Sequence, residues 1–188
     1  ALLILTTSFT RIVIIFSFLR TALGTQNIPP NQVVIGLTLF LTFYVMGPTY
    51  QEVNKVSVQP LLKKEIKLDQ AVARGEKPLR QFLLRNTYQA DLKLFHNMRK
   101  EKPKDAESVS LLSLIPAFVI SELKTAFVVG FYLFIPFIII DLIVASALMS
   151  MGMMMLPPTV VSLPAKLLVF VLANGWATLV TAIVSGYR

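Results

Sequence analysis

Five ionisable side chains stand inside otherwise apolar stretches of this 188-residue chain: Arg11, Glu122, Lys124, Asp141 and Lys166. A charge there costs about 2.5–3.5 kcal/mol at the centre of an inserted helix and more on an isolated one. Each must therefore meet protein or water, not lipid. Glu122 and Asp141 are the carboxylates that acid–base work would need, but nineteen residues, about five turns of a continuous helix, keep them from acting as a dyad. A proton relay through Asp141 is a further use, since buried carboxylates carry protons in pumps. His96 is the single histidine and has no cysteine or second histidine beside it, so it reads as a surface or packing residue and not a metal ligand. No G-x-S-x-G elbow and no Walker-type glycine–lysine loop occurs. Neither an enzyme, a cofactor nor a metal site is expected.

A different chemistry is concentrated near the C-terminal third. Five of the seven methionines fall within Met149-Ser150-Met151-Gly152-Met153-Met154-Met155-Leu156-Pro157-Pro158, at the turn between two long apolar runs. Methionine is unbranched and polarizable, so a cluster of it makes an apolar surface that re-forms around varied contacts. Two readings follow: an ordinary membrane-buried hairpin tip, or a deformable seal at the narrow point of a conduit.

The elements that carry these residues are set by composition. Hydrophobic residues make up 55 % and charged residues 15 %, with a mean hydropathy of +0.68, which indicates a membrane-associated protein. Thirteen Lys/Arg and eight Asp/Glu lie between Glu52 and Glu107, so a polar block stands between two apolar ones. The net charge of +8 does not point to nucleic acid, because its lysines are interleaved with acids and no stacking aromatic or phosphate motif accompanies them. Absence of cysteine removes disulfide and thiolate chemistry. The chain opens inside an apolar run without an initiator methionine, which leads to the expectation of processing or of a further N-terminal piece.

The first apolar run, Ala1–Leu19, contains Arg11 and closes at Arg20; the turn after it has Gly24 to end a helix and Pro29-Pro30-Asn31 to start the next. The second run, Val33–Met46, is expected to stop at Gly47-Pro48. The middle is helical in pattern: Leu79, Phe82 and Leu83 fall at i, i+3, i+4, with Leu92 and Phe95 beyond. Gly75 is expected to separate a short helix, 69–74, from one that begins with Pro78 in its first turn. Lys100–Asp105 reads as an exposed loop. The next apolar stretch, 108–149, would form a helix of roughly 60 Å, twice the hydrocarbon thickness, so Pro116 and Pro136 are expected to break it.

Register gives partners. For a hairpin turning near residue 154, Asp141 falls opposite Lys166, and Glu122 falls opposite Arg188 or reaches Lys166 of a staggered copy. Snorkelling to an interface is the alternative for all of them. The expected fold is all-α and membrane-associated. Two Pro-broken helical hairpins, 1–48 and 109–188, flank a small polar helical domain, 49–108. Arg20 hints that the first tip is cytoplasmic, which makes the middle domain extracytoplasmic.

Four stretches carry a family resemblance: Thr7-Ser8-Phe9-Thr10-Arg11-Ile12-Val13-Ile14; Ala22-Leu23-Gly24-Thr25-Gln26 with Pro29-Pro30-Asn31-Gln32-Val33; Ile115-Pro116-Ala117-Phe118-Val119-Ile120-Ser121-Glu122-Leu123-Lys124-Thr125-Ala126-Phe127; and Met151-Gly152-Met153-Met154-Met155. Together they resemble the FliP family of flagellar type III export-gate subunits, whose injectisome relatives are SctR proteins. The resemblance implies the core of a protein-export channel in the bacterial inner membrane, at the flagellar basal body. It implies five copies assembling helically with FliQ and FliR, near other apparatus proteins such as FlhB, with unfolded proteins as cargo and a periplasmic middle domain. Hairpins would pack side by side, much of the assembly lifted out of the bilayer plane. The family's methionine gasket falls on Met153, Met154 and Met155, with Met151 in the same tip. Its intersubunit charges match Glu122 and Lys166 in position. The alternatives are a small multi-pass transporter with a solute site among Glu122, Lys124 and Asp141, or a structural membrane scaffold. A transporter calls for internal symmetry, yet the Met-rich turn has no counterpart at Gly24–Gln32.

Overall fold

The computed structural model describes residues 2–25, 27–100, 108–153 and 155–187. Met154, Arg188 and most of the Lys100–Asp105 loop lie outside the described residues. Among those described there is no strand. The helices are α1 (Leu2–Leu5), α2 (Phe9–Leu23), α3 (Asn31–Val53), α4 (Gln59–Leu62), α5 (Leu68–Arg85), α6 (Gln89–Arg99), α7 (Leu111–Ser150), α8 (Pro158–Leu172) and α9 (Gly175–Ser185), with a π-helical segment, Asn54–Val58, joining α3 to α4. The helical run Asn31–Leu62 and helix α7 are long and apolar enough to cross a membrane; α8 and α9, bent by 64°, make a third span if taken together.

The chain divides into two compact units. One comprises Leu39–Lys124 with the segment up to Thr10 and Tyr187; the other comprises Arg11–Thr38 and Thr125–Gly186. In the first, Met46, Leu83, Leu114 and Phe118 are fully buried, and Phe82 and Val109 nearly so. Burying a side chain of this size is worth about 1.5–3 kcal/mol, so these six hold the unit's polar helices in place. The Phe82 ring lies 5.9 Å from Phe118 and stacks at 6.2 Å on Tyr187. The Leu79–Phe82–Leu83 stripe read from the sequence is the face that α5 turns to this core.

In the second unit α2 buries Ile12, Ile15, Phe16, Leu19 and Leu23, the spacing of one helical face. Phe18 reaches α7, where its ring lies 5.2 Å from Phe127 and 6.1 Å from Phe134. Gly130 permits this approach, because a Cβ there would come within 2.4 Å of the Phe18 ring. At the α8–α9 bend, Asn174 takes a left-handed φ of 50° and Phe170 folds over Gly175, where a Cβ would come within 2.3 Å of the ring.

Four expected interruptions are absent. Helix α3 continues through Gly47-Pro48, α5 runs unbroken through Gly75 and Pro78, and α7 is one helix of 40 residues through Pro116 and Pro136. A proline deletes one donor from the ladder, whereas ending a helix orphans up to four carbonyls. In apolar surroundings the single loss is the smaller cost. In α5, Gly75 serves packing: a Cβ there would lie 3.1 Å from Ser57 Oγ. The interruption in the C-terminal block falls at Ala173-Asn174 instead.

Candidate functional site

The methionine tip is built from a helix terminus. At the end of α7 the Met153 amide donates to the Leu148 carbonyl at 3.0 Å and the Gly152 amide to the Met149 carbonyl at 3.1 Å. With Gly152 at φ 76°, this is a Schellman termination, for which glycine is suited because it lacks a Cβ. Pro158 then occupies the first position of α8, where its missing donor costs nothing. Between them Met149, Met151, Met153 and Met155 are all exposed, Met155 completely. Gly24 ends α2 by the same device, its amide bonding to Thr21 at 3.0 Å and that of Thr25 to Arg20 at 3.1 Å.

A polar centre ties the arms of the tip together. Lys166 on α8 pairs with Asp141 on α7 at 2.6 Å, as the register implies, and donates to the Ala22 carbonyl at 3.2 Å. Ser162, one turn before Lys166, donates to Asp141 at 2.6 Å. The ammonium thus neutralises a carboxylate and also caps the carbonyl end of α2, where a helix dipole favours positive charge. Arg11 acts likewise elsewhere in this unit: it is 4 % exposed and donates from Nη1 to the Gly186 carbonyl at 3.0 Å, beyond the end of α9. Both cations meet backbone, not lipid.

In the first unit Glu122 is fully buried and accepts from Tyr187 Oη at 2.8 Å, while the same hydroxyl lies 3.2 Å from the Ser8 carbonyl. Arg188, its other expected neighbour, lies outside the described residues. Lys124 pairs with Asp91, which also accepts from Ser121 Oγ at 2.8 Å; Ser121 in turn accepts the Tyr88 amide at 3.0 Å. This joint fastens α6 to α7. Sequence reasoning missed Asp91, Ser121, Ser162 and Tyr187. Asp91 stands in the first turn of a polar helix, where an acid is usually only a dipole partner. His96 is buried in α6, a packing position. Among the described residues no group of three His, Asp or Glu is placed to hold a metal ion.

The model of the FliP family matches residues 1–183. The chain belongs to the FliP family. It is 54 % identical over 187 residues to the flagellar biosynthetic protein FliP of Bacillus subtilis, covering 99 % of this chain and 85 % of that one. With the protein of that name from Pectobacterium carotovorum it shares 50 % identity, covering 100 % of this chain and 73 % of the relative. With that from Aquifex aeolicus it shares 46 %, covering 100 % and 80 %. As a FliP-family member with membrane-spanning helices, the chain is a component of the flagellar protein-export apparatus, acts in flagellum biogenesis at a membrane, and is not an enzyme.

Proposed function

We propose that this FliP-family chain forms the wall and the seal of the channel through which unfolded flagellar proteins leave the cell. Five copies pack with their hairpins side by side, together with FliQ and FliR and near FlhB, in the bacterial inner membrane. The segment 49–108 is the periplasmic domain between the two hairpin domains, 1–48 and 109–188. Met151, Met153, Met154 and Met155 from each copy converge on a common axis and close it.

One observation carries this reading: a methionine tip, exposed in the single chain, stands at the end of a helix whose apolar window is only 11 % buried within that chain. Apolar surface on this scale needs a cover, and sister helices supply one while leaving the tips to meet each other. Such a constriction excludes water and ions by dewetting. Its thioethers re-pack around any passing chain, so closure places no demand on cargo sequence. Glu122, Lys166 and Arg11, buried with partners in their own chain, set the register of helices within each copy, and the part-exposed Lys124 and Asp141 can extend it between copies. Charge pairs suit that role because a misplaced copy would leave a charge without its partner.

The test is electrical. Full-length protein with Met153, Met154 and Met155 changed to alanine, assembled with its membrane partners, should pass small ions at least about tenfold faster than the parent when idle. That factor corresponds to lowering the barrier by about 1.4 kcal/mol. Equal idle conductance in the two assemblies would reject the seal.

A further inference from the structure

Between Ser150 and Pro158 none of the described residues is helical, so the methionine tip is carried on irregular backbone. Hydrocarbon does not accept such a turn facing lipid, because its amides and carbonyls need partners. The turn must be packed in protein, line a wet cavity or stand at the water's edge. The first is not what the chain itself provides: Met149, Met151, Met153 and Met155 are all exposed. Two other methionines are natural controls. Met46 is fully buried in the core of the first unit, and Met98, in the polar helix α6, is 71 % exposed. With no cysteine in the chain, its seven methionines are its only sulfur groups.

Closure by dewetting depends on the weak hydration of the thioether. Oxidation removes that property. A sulfur lone pair attacks one oxygen of hydrogen peroxide, the S–O bond forms as the O–O bond breaks, and the departing hydroxide takes the remaining proton to leave as water. The sulfur is oxidised by two electrons and the peroxide is reduced by two. The product is a polar, chiral sulfoxide in place of a flexible apolar side chain, a change that disrupts methionine-rich interfaces. A polar oxygen enclosed in a dry constriction without a donor shifts the balance towards the wetted state on the order of tenfold. One oxidised methionine in each copy would put such an oxygen on every side of a shared axis.

We propose that Met149, Met151, Met153, Met154 and Met155 form an oxidation site, at which hydrogen peroxide converts thioethers to sulfoxides and so opens the idle channel. This rests on the tip being a seal and adds a chemical agent that releases it. Exposure makes the tip reactive, and its place at the constriction makes the reaction consequential. Met98 has the exposure without the place, and Met46 has neither.

The test treats full-length protein, assembled with its membrane partners, with hydrogen peroxide. Sulfoxides are mapped by peptide mass spectrometry, and idle small-ion conductance is read before and after. Tip methionines should convert at least about tenfold faster than Met46, since susceptibility follows exposure. Conductance of the parent should rise about tenfold. M98L should respond as the parent does. M149L/M151L/M153L/M154L/M155L, an exchange close to volume-conserving, should show a treated-to-untreated ratio near one. Each ratio is taken within one assembly, so the variants need not match the parent before treatment, and the mapping and the parent's ratio need no variant at all. Tip methionines as slow as Met46, a parent ratio near one once the sulfoxides have formed, or an equal rise in the five-leucine variant would each overturn the proposal. Alanine at Met153–Met155 separates the two failures. If alanine leaks and peroxide does nothing, the oxidation site is wrong and the seal stands; if neither leaks, the seal is wrong as well.

Discussion

Lys166 answers two demands with one ammonium group, 2.6 Å from the Asp141 carboxylate and 3.2 Å from the carbonyl of Ala22. Removing it leaves the Ala22 carbonyl without this donor and Asp141 with Ser162 alone. Lys166→Ala should lower unfolding free energy by about 2–4 kcal/mol, less than for a wholly buried pair because the Asp141 side chain remains 35 % exposed. In a double-mutant cycle with Asp141→Asn, read by thermal unfolding in detergent, the pair should show a coupling of about 1–3 kcal/mol. Strict additivity would contradict the pairing. This pair was legible because both arms beside the tip are regular helices, so counting outwards from the turn finds it. Asp91 and Lys124 were not legible as partners: they are 33 residues apart and meet through a fold-back that no local period encodes. The acceptor for Arg11 lies 175 residues away and is a backbone carbonyl, which leaves no mark in sequence.

At the level of elements, two glycines in apolar helices should behave oppositely. An added Cβ at Gly130 would come within 2.4 Å of Phe18, whereas at Gly36 nothing lies within 4 Å. Gly130→Ala should destabilise by about 1–3 kcal/mol, and Gly36→Ala should be neutral or stabilise by up to about 1 kcal/mol. Thermal midpoints of the two variants in one detergent check this, and the reverse order would show that Phe18 does not pack as described. Helical type and the core stripe of α5 were readable from spacing, and Gly24 from its place before a Pro-Pro pair. Helix ends were not. Pro48, Pro116 and Pro136 sit inside apolar helices, since punctuation rules drawn from water assume that a freed carbonyl can be solvated. The interruption at Ala173-Asn174 lies where Phe170 closes over Gly175, a contact that the local sequence pattern does not announce.

For the whole molecule, the apolar surface that α7, α8 and α9 leave uncovered matters more than any single contact. Membership of the FliP family makes the chain an export component, and exposed tips on membrane helices are what a shared axis among copies would use. Composition made the membrane setting legible, while the number of copies came only from family resemblance, because a single chain holds no record of its neighbours. Convergence of the tips can be measured directly, since the chain has no cysteine to compete. A single cysteine placed at Met153 in the full-length assembly, treated with a short bis-maleimide and run on a denaturing gel, should join chain to chain. A thiol that stays monomeric yet reacts with a lipid-soluble maleimide would place Met153 against lipid and contradict the account.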